Sequence, residues 1–315
     1  MPSALPDLSL RQLEYLVAVS VAPTWADAAA SLGVTPSALS QGLAELERRV
    51  GVPLFDRDGR RRPLRASATP VLEHARQVVA LTGDLASWAD RMRGSSLGSI
   101  RLGLIDVAAV EHFDSVINSF RMERPEVALS ISVAPSAGLI ADLRRGALDL
   151  IVCVEPGEHP PGVTVTRVLS EPIVVIAPSG TEIGSPETWG PWVLFPDGSH
   201  TRASTMEALR ALGADLTVVA DSHQPSVVRA MVRLGMGWGG PGGGARPRPP
   251  GGDAHGLVEG PELFRRHLAL MRRDHSPLDP AAVALTELII ATGERIDQGG
   301  QQGSATRRAS GRMLL

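Results

Sequence analysis

A chain of 315 residues, 43% apolar and 21% charged with a net charge of -3 at pH 7, can bury more than one core, and that balance excludes a protein that coats nucleic acid over its whole surface. No apolar run of roughly eighteen residues occurs, and the first 11 residues lack a basic start followed by an apolar stretch, so the chain reads as cytoplasmic, with no membrane contact. The one cysteine, Cys153, lies in the apolar run 150–154, reads as a small buried strand residue, and excludes an intrachain disulfide framework.

Leu10, Leu13, Leu16 and Val17 recur at helical spacing, which predicts an amphipathic helix over residues 8–21, closed by Pro23. Thr24 is a good N-cap with Asp27 three residues on, so a second, alanine-rich helix is expected up to Gly33. Thr35 and Pro36 supply a new N-cap and first-turn proline. The third helix carries Leu39, Leu43, Leu46 and Val50 as its apolar stripe and Ser37, Ser40 and Gln41 on the opposite side near its start. Two short helices across a tight glycine turn, the second opening on small hydrogen-bonding residues, suit a reader of the DNA major groove. Seven arginines lie from Arg48 to Arg65 against Asp56 and Asp58. Asp58-Gly59 signals a hairpin that would carry Arg57, Arg60, Arg61 and Arg62 on a basic wing; the alternative is a solvated basic loop, and the position straight after the helix pair favours the wing.

The strings Leu10-Arg11-Gln12-Leu13-Glu14-Tyr15-Leu16, Ala26-Asp27-Ala28-Ala29, Val34-Thr35-Pro36-Ser37-Ala38-Leu39-Ser40 and Gly51-Val52-Pro53-Leu54-Phe55-Asp56-Arg57 resemble the LysR family of transcriptional regulators. The resemblance covers the whole DNA-binding domain. It implies a winged helix-turn-helix over residues 8–65 that reads bases from Thr35, Pro36, Ser37, Ser40 and Gln41, a double-stranded DNA operator as partner, and RNA polymerase as a further one. Gly42, inside the recognition helix, departs from the family, where a larger polar residue is common; glycine there costs ~1 kcal/mol relative to alanine.

Residues 66–93 show a seven-residue repeat of Val71, Val78, Leu85 and Met92 with the smaller Ala75, Thr82 and Ala89 between. This reads as the seam of a linker helix that pairs two subunits, as the resemblance implies, with tetramers formed through separate receptor contacts. The alternative is that the same residues cover the winged domain's own core. A hinge is expected at 93–96.

From residue 99 to 297, strand and helix patterns alternate, and the string Leu139-Ile140-Ala141-Asp142-Leu143-Arg144-Arg145-Gly146-Ala147-Leu148-Asp149-Leu150 resembles the family's effector domain. The expectation is a two-lobed α/β receptor of the type 2 periplasmic-binding-protein kind, with lobe 1 at about 99–158 and 256–297 and lobe 2 at about 159–238. Short strands are predicted at 173–177 and 264–271. Ligands in such folds sit at strand ends beneath helix N-termini. That nominates Asp106, Ser136, Ser199, His200, Thr201 and His223 for a small effector, an anionic one such as a carboxylate, although each of the helix-start residues also reads as a plain cap. No cofactor or metal is called for. Residues 239–252, eleven of fourteen being Gly or Pro, cannot form a central strand and read either as a divergent loop or as a local error in the sequence; residues 298–315 read as a disordered tail. The competing readings are an enzyme or a solute-binding protein on a two-lobed fold, but no P-loop or HExxH motif supports catalysis.

Overall fold

The computed structural model describes residues 7–56, 63–93, 98–240, 257–274, 276 and 279–311. The chain divides into two compact units, one built on residues 1–95 with 144–147 and 275–277, the other on 96–143, 148–274 and 278–315.

In the first unit, three helices, α1 (Leu10–Val21), α2 (Trp25–Ser31) and α3 (Pro36–Val50), precede the long α4 (Thr69–Arg93). The turns between them use the conformations their residues favour: Gly33 and Gly51 take φ of 64° and 77°, which end α2 and α3 at little steric cost. Leu13, Leu16, Leu39, Leu43 and Leu46 are buried in one core with Leu54, Phe55, Ala68, Leu72 and Ala75. Residues 66–93, expected as a separate linker, thus begin inside the core of the first unit, because Leu72 and Ala75 complete its apolar face. Glu47 ties the end of α3 to the start of the wing segment: its Oε1 accepts from the backbone N–H of Leu54 at 2.7 Å and of Phe55 at 3.2 Å. Glu47→Ala would leave both donors without that acceptor and is expected to lower the stability of this unit by ~1–3 kcal/mol, read by thermal unfolding.

The second unit is built on an eight-stranded sheet in the order β2-β1-β3-β8-β4-β7-β5-β6. Its strands are β1 (Ser99–Leu104), β2 (Ala128–Val133), β3 (Leu150–Val154), β4 (Val163–Pro178), β5 (Trp192–Leu194), β6 (Val218–Asp221), β7 (Trp238–Gly239) and β8 (Leu257–Arg273). Helices α5 (Asp114–Glu123), α6 (Ser136–Arg144), α7 (His200–Ala211), α8 (Pro225–Arg233) and α9 (Pro280–Gly311) connect and cover them, and a π-helical turn (Ala108–His112) precedes α5. β1 pairs in parallel with β2 and β3, and β5 with β6 and β7, as crossover connections require.

β4 and β8 are the long antiparallel pair that carries the chain between lobes, and both exceed expectation. The strands predicted at 173–177 and 264–271 run instead from Val163 and from Leu257, since Thr164, Thr166, Arg167, Ser170 and Glu171 interrupt the apolar pattern without breaking the hydrogen-bonded ladder. The lobe boundary shifts accordingly. Val163, Val168 and Leu169 lie in the core of lobe 1, with Leu102, Ile151, Leu268, Met271, Leu285 and Ile289. The first half of β8 pairs with residues 173–178 beside lobe 2, whose cores hold Trp189, Trp192, Leu209 and Trp238, and Ile176, Val193, Val228 and Val232.

Two further expectations change. The glycine-rich stretch begins inside the sheet: β7 lies between β4 and β5, and a Cβ on Gly239 would come within 3.0 Å of Val232 and 3.2 Å of Ile176, so the small residue suits this crowded position. Residues 241–256 lie outside the described residues. At the other end, α9 continues to Gly311 where a disordered tail was expected from 298. No proline follows Pro280, and extending a helix already anchored by Leu285 and Ile289 is easier than nucleating one.

Candidate functional site

In the first unit, α2 and α3 are each set by an N-cap. The Thr24 hydroxyl accepts from the Asp27 N–H at 3.1 Å, and the Thr35 hydroxyl accepts from the Ala38 N–H at 3.2 Å. Burial of Leu39, Leu43 and Leu46 then turns Ser37 and Gln41 outward together with Thr35 and Pro36; all four are exposed, and Ser40 is half-buried. Gly42 has a packing reason that the sequence alone did not show. A Cβ at that position would come within 2.6 and 2.7 Å of the ring of the buried Tyr15, so glycine lets α1 and α3 approach.

The base of the expected wing is formed. Phe55 and Leu64 make an antiparallel bridge, the Asp56 N–H donates to Pro63 O at 3.0 Å, and the Arg65 N–H donates to Leu54 O at 2.9 Å. The tip, with Arg57, Arg60, Arg61 and Arg62, lies outside the described residues.

On α4, Val71 and Val78 are partly buried against the core of the first unit, in line with the alternative that these residues serve that domain. Leu85 is 59% exposed, and the outward apolar residues are Leu81, Leu85 and Trp88, spaced as neighbours on one helix face. The side chain of Met92 lies outside the described residues.

In the second unit, the six nominated residues fall after β1, at the start of α6, at the start of α7 and just before α8. Asp106 is half-buried on the turn after β1. Ser136 starts α6, and its Oγ accepts from the Val154 N–H at 3.3 Å at the end of β3. The neighbouring Cys153 is fully buried, and desolvation pushes its thiol up to about 12 against a smaller opposing effect of the Ser136 hydrogen bond, so it is protonated at neutral pH. His200 and His223 are exposed. Ser199 occupies the N-cap of α7 without a side-chain cap bond. Thr201 is buried in the first turn of α7.

Thr201 belongs to a buried polar chain that the sequence reading missed. Its Oγ1 accepts from Arg266 Nη1 at 3.0 Å; Arg266 Nε donates to Glu171 Oε1, and Glu171 Oε2 lies 3.0 Å from His112 Nε2. The chain runs from α7 in lobe 2, through β8 and β4, to the π-helical turn of lobe 1. Arg266 also sits 5.8 Å from the centre of the Phe195 ring. Burial pushes the Glu171 carboxyl up, but the Arg266 guanidinium and the His112 contact outweigh that and hold it below its ordinary value. One residue before His112, Glu111 forms a second bridge between the lobes, 2.5 Å from Arg229 on α8. The available sequence signal was a charged residue at alternate inward positions: Glu171 shares its face of β4 with Leu169, Ile173, Val175 and Ala177, all buried.

Comparison with known proteins places both units. A family model described as the bacterial regulatory helix-turn-helix protein, lysR family, matches residues 10–71, and one described as the LysR substrate binding domain matches residues 93–293. Similar proteins include the HTH-type transcriptional regulator CbbR of Rhodospirillum rubrum, 29% identical over 54% of this chain and 56% of that protein. The HTH-type transcriptional regulator IlvR of Caulobacter vibrioides is 25% identical over 73% of this chain and 81% of its own. A probable hydrogen peroxide-inducible genes activator of Mycobacterium avium is 33% identical over 57% and 58%. The chain thus spans little more than half the length of two of these three. In fold, it resembles full-length OxyR from Pseudomonas aeruginosa, with a TM-score of 0.59 at 21% identity over 91% of this chain and 97% of that one. It also resembles full-length CbnR complexed with its target DNA, with a TM-score of 0.57 at 17% identity over 90% and 100%.

Proposed function

The chain belongs to the LysR family of DNA-binding transcriptional regulators with an effector-binding domain, and from that premise we propose that it reads an operator through α3, pairs through α4 and senses a small anion between the lobes of its second unit. The observation that supports operator reading most directly is the outward set Thr35, Pro36, Ser37 and Gln41 at the start of a capped helix, with Ser40 beside it. Arg57, Arg60, Arg61 and Arg62 add the phosphate contacts. Footprinting tests this. Replacing Arg60, Arg61 and Arg62 with alanine should weaken binding to all sequences and lower the slope of log affinity against log salt by up to about 2.7, at roughly 0.9 per phosphate contact. Ser37→Ala or Gln41→Ala should change base preference instead, by ~1–3 kcal/mol at the contacted pair. A salt slope unchanged in the triple variant would remove the wing from the interface.

LysR regulators act as oligomers, and the dimer seam proposed for this chain is Leu81, Leu85 and Trp88, with Val78 at its inner end. Leu81→Glu with Leu85→Glu should place charge in that seam and dissociate it, measured by light scattering. Tetramers would form through the second unit, and RNA polymerase would be the downstream partner. A cytoplasmic location suits this role; among the described residues, no helix is long and apolar enough to cross a membrane.

The effector reading draws support from the uncapped first turn of α7, with Ser199 and Thr201, and from the Arg266 guanidinium beside it. Asp106 and Ser136 would face the ligand from lobe 1, while the exposed His200 and His223 would stand at the rim. Peroxide sensing by thiol chemistry, which the names of some relatives suggest, is disfavoured by the residues: the one cysteine is buried and its thiol is held protonated. Among the described residues, no hydrogen-bonded pair of nucleophile and base supports turnover.

A further inference from the structure

Arg266 is 6% exposed, and its three nitrogens have different fates. Nε donates to Glu171 and Nη1 to Thr201, whereas Nη2 is buried with no hydrogen-bond partner. A buried guanidinium N–H left without an acceptor is costly, and such groups are rare unless something else satisfies them. The Nη1 contact holds this edge of the guanidinium against the first turn of α7, where the N–H groups are uncapped by Ser199 and the helix dipole presents positive charge. Nη2 is bonded to the same carbon as Nη1, which sets this unpaired donor beside that turn.

We infer that Arg266 Nη2 and the first turn of α7 form a subsite for the single carboxylate of a small monoanion, and that Glu171, held by His112, is the built-in counter-charge that excludes dianions. The inference rests on the effector reading given above and specifies its chemistry. Arg266 carries one positive charge and Glu171 one negative, so the pair offers an anion no net attraction; what remains is the positive end of α7, worth about half a charge. One carboxylate slightly overcompensates that field while gaining charge-assisted hydrogen bonds. A second carboxylate on the same ligand would sit desolvated, close to the ionised Glu171, with no free cation of the pair to meet it. Access requires the lobes to part, and the Glu111–Arg229 bridge, which spans them one residue from His112, is one contact that such parting breaks.

The test uses the full chain with acetate, lactate, malonate, succinate and the neutral analogue acetamide as probes, read by calorimetric titration. Wild type should bind a monocarboxylate at least tenfold more tightly than the dicarboxylate of similar length, and acetamide least. Glu171→Gln keeps size and hydrogen bonding while removing the counter-charge, and should close or reverse the gap between mono- and dicarboxylates. Should that variant fold poorly, the double variant Glu171→Gln with Arg266→Gln retains a neutral buried pair and should lose monocarboxylate binding at least tenfold. The subsite is overturned if wild type prefers dicarboxylates, if the double variant binds like wild type, or if no probe binds. Footprinting of the same preparations separates the two levels: carboxylate binding that responds to Ser136→Ala but not to the Glu171 and Arg266 variants leaves the effector reading intact without this subsite. Intact DNA binding with no response to any probe removes the carboxylate effector as well.

Discussion

Glu171→Ala is expected to destabilise the effector-binding unit by ~3–5 kcal/mol, because it removes one partner of a buried ion pair and strands the Arg266 guanidinium, already 6% exposed and one hydrogen bond short. Arg266→Ala should cost a similar amount by leaving the Glu171 carboxylate, 1% exposed, with only His112 beside it. Replacing both with glutamine should cost much less, since the desolvated charges vanish together. Burial alone would raise the Glu171 carboxyl, but Arg266 and His112 bring it below its ordinary 4.5, so the folded state holds the ionised form more strongly than the unfolded chain does. This stabilisation is therefore fully present above about pH 4.5 and is lost as pH falls through the depressed folded value. Acid unfolding followed by far-UV circular dichroism should accordingly be less steep in the double glutamine variant. An alanine variant with wild-type stability at neutral pH would show that the pair contributes nothing.

The first unit was legible in the sequence because its determinants are local. Thr24, Gly33, Thr35, Pro36 and Gly51 are caps and turns that act over three or four residues, and the period of Leu39, Leu43 and Leu46 fixes which side of α3 faces out. The alternation of elements in the second unit was legible for the same reason. The buried polar chain was not, because Thr201, Arg266, Glu171 and His112 lie on four different elements that only the tertiary fold brings together, β4 beside β8 among them. Length was misread in β4, β8 and α9, where tertiary pairing or an anchored helix carries polar segments that local pattern assigns to loops. Gly42 shows the same limit in miniature: its cost is visible in the helix, while its reason, the Tyr15 ring, is 27 residues away along the chain (42 minus 15).

Gly293→Ala should damage the second unit while leaving the first intact. In an exposed helix that change would stabilise by ~1 kcal/mol through helix propensity. Here the added Cβ would collide with the carbonyl oxygen of Val168 and lie 2.8 Å from its carbonyl carbon, a backbone contact that no rotamer change can relieve. Either α9 moves off β4, opening the core around Leu285 and Ile289, or the strand shifts between Val168 and Glu171 and disturbs the ion pair. Overpacking of this kind costs ~1–3 kcal/mol and occasionally more, and a clash against main chain belongs at the upper end, so the propensity gain is outweighed. DNA binding rests on the separate core of Leu16, Leu39, Leu43, Leu46 and Leu54, which contains no residue of α9 or β4. The expected result is an early unfolding transition with retained operator protection and no response to carboxylates. A single transition at the wild-type temperature would show that α9 and β4 relax around the methyl group without cost.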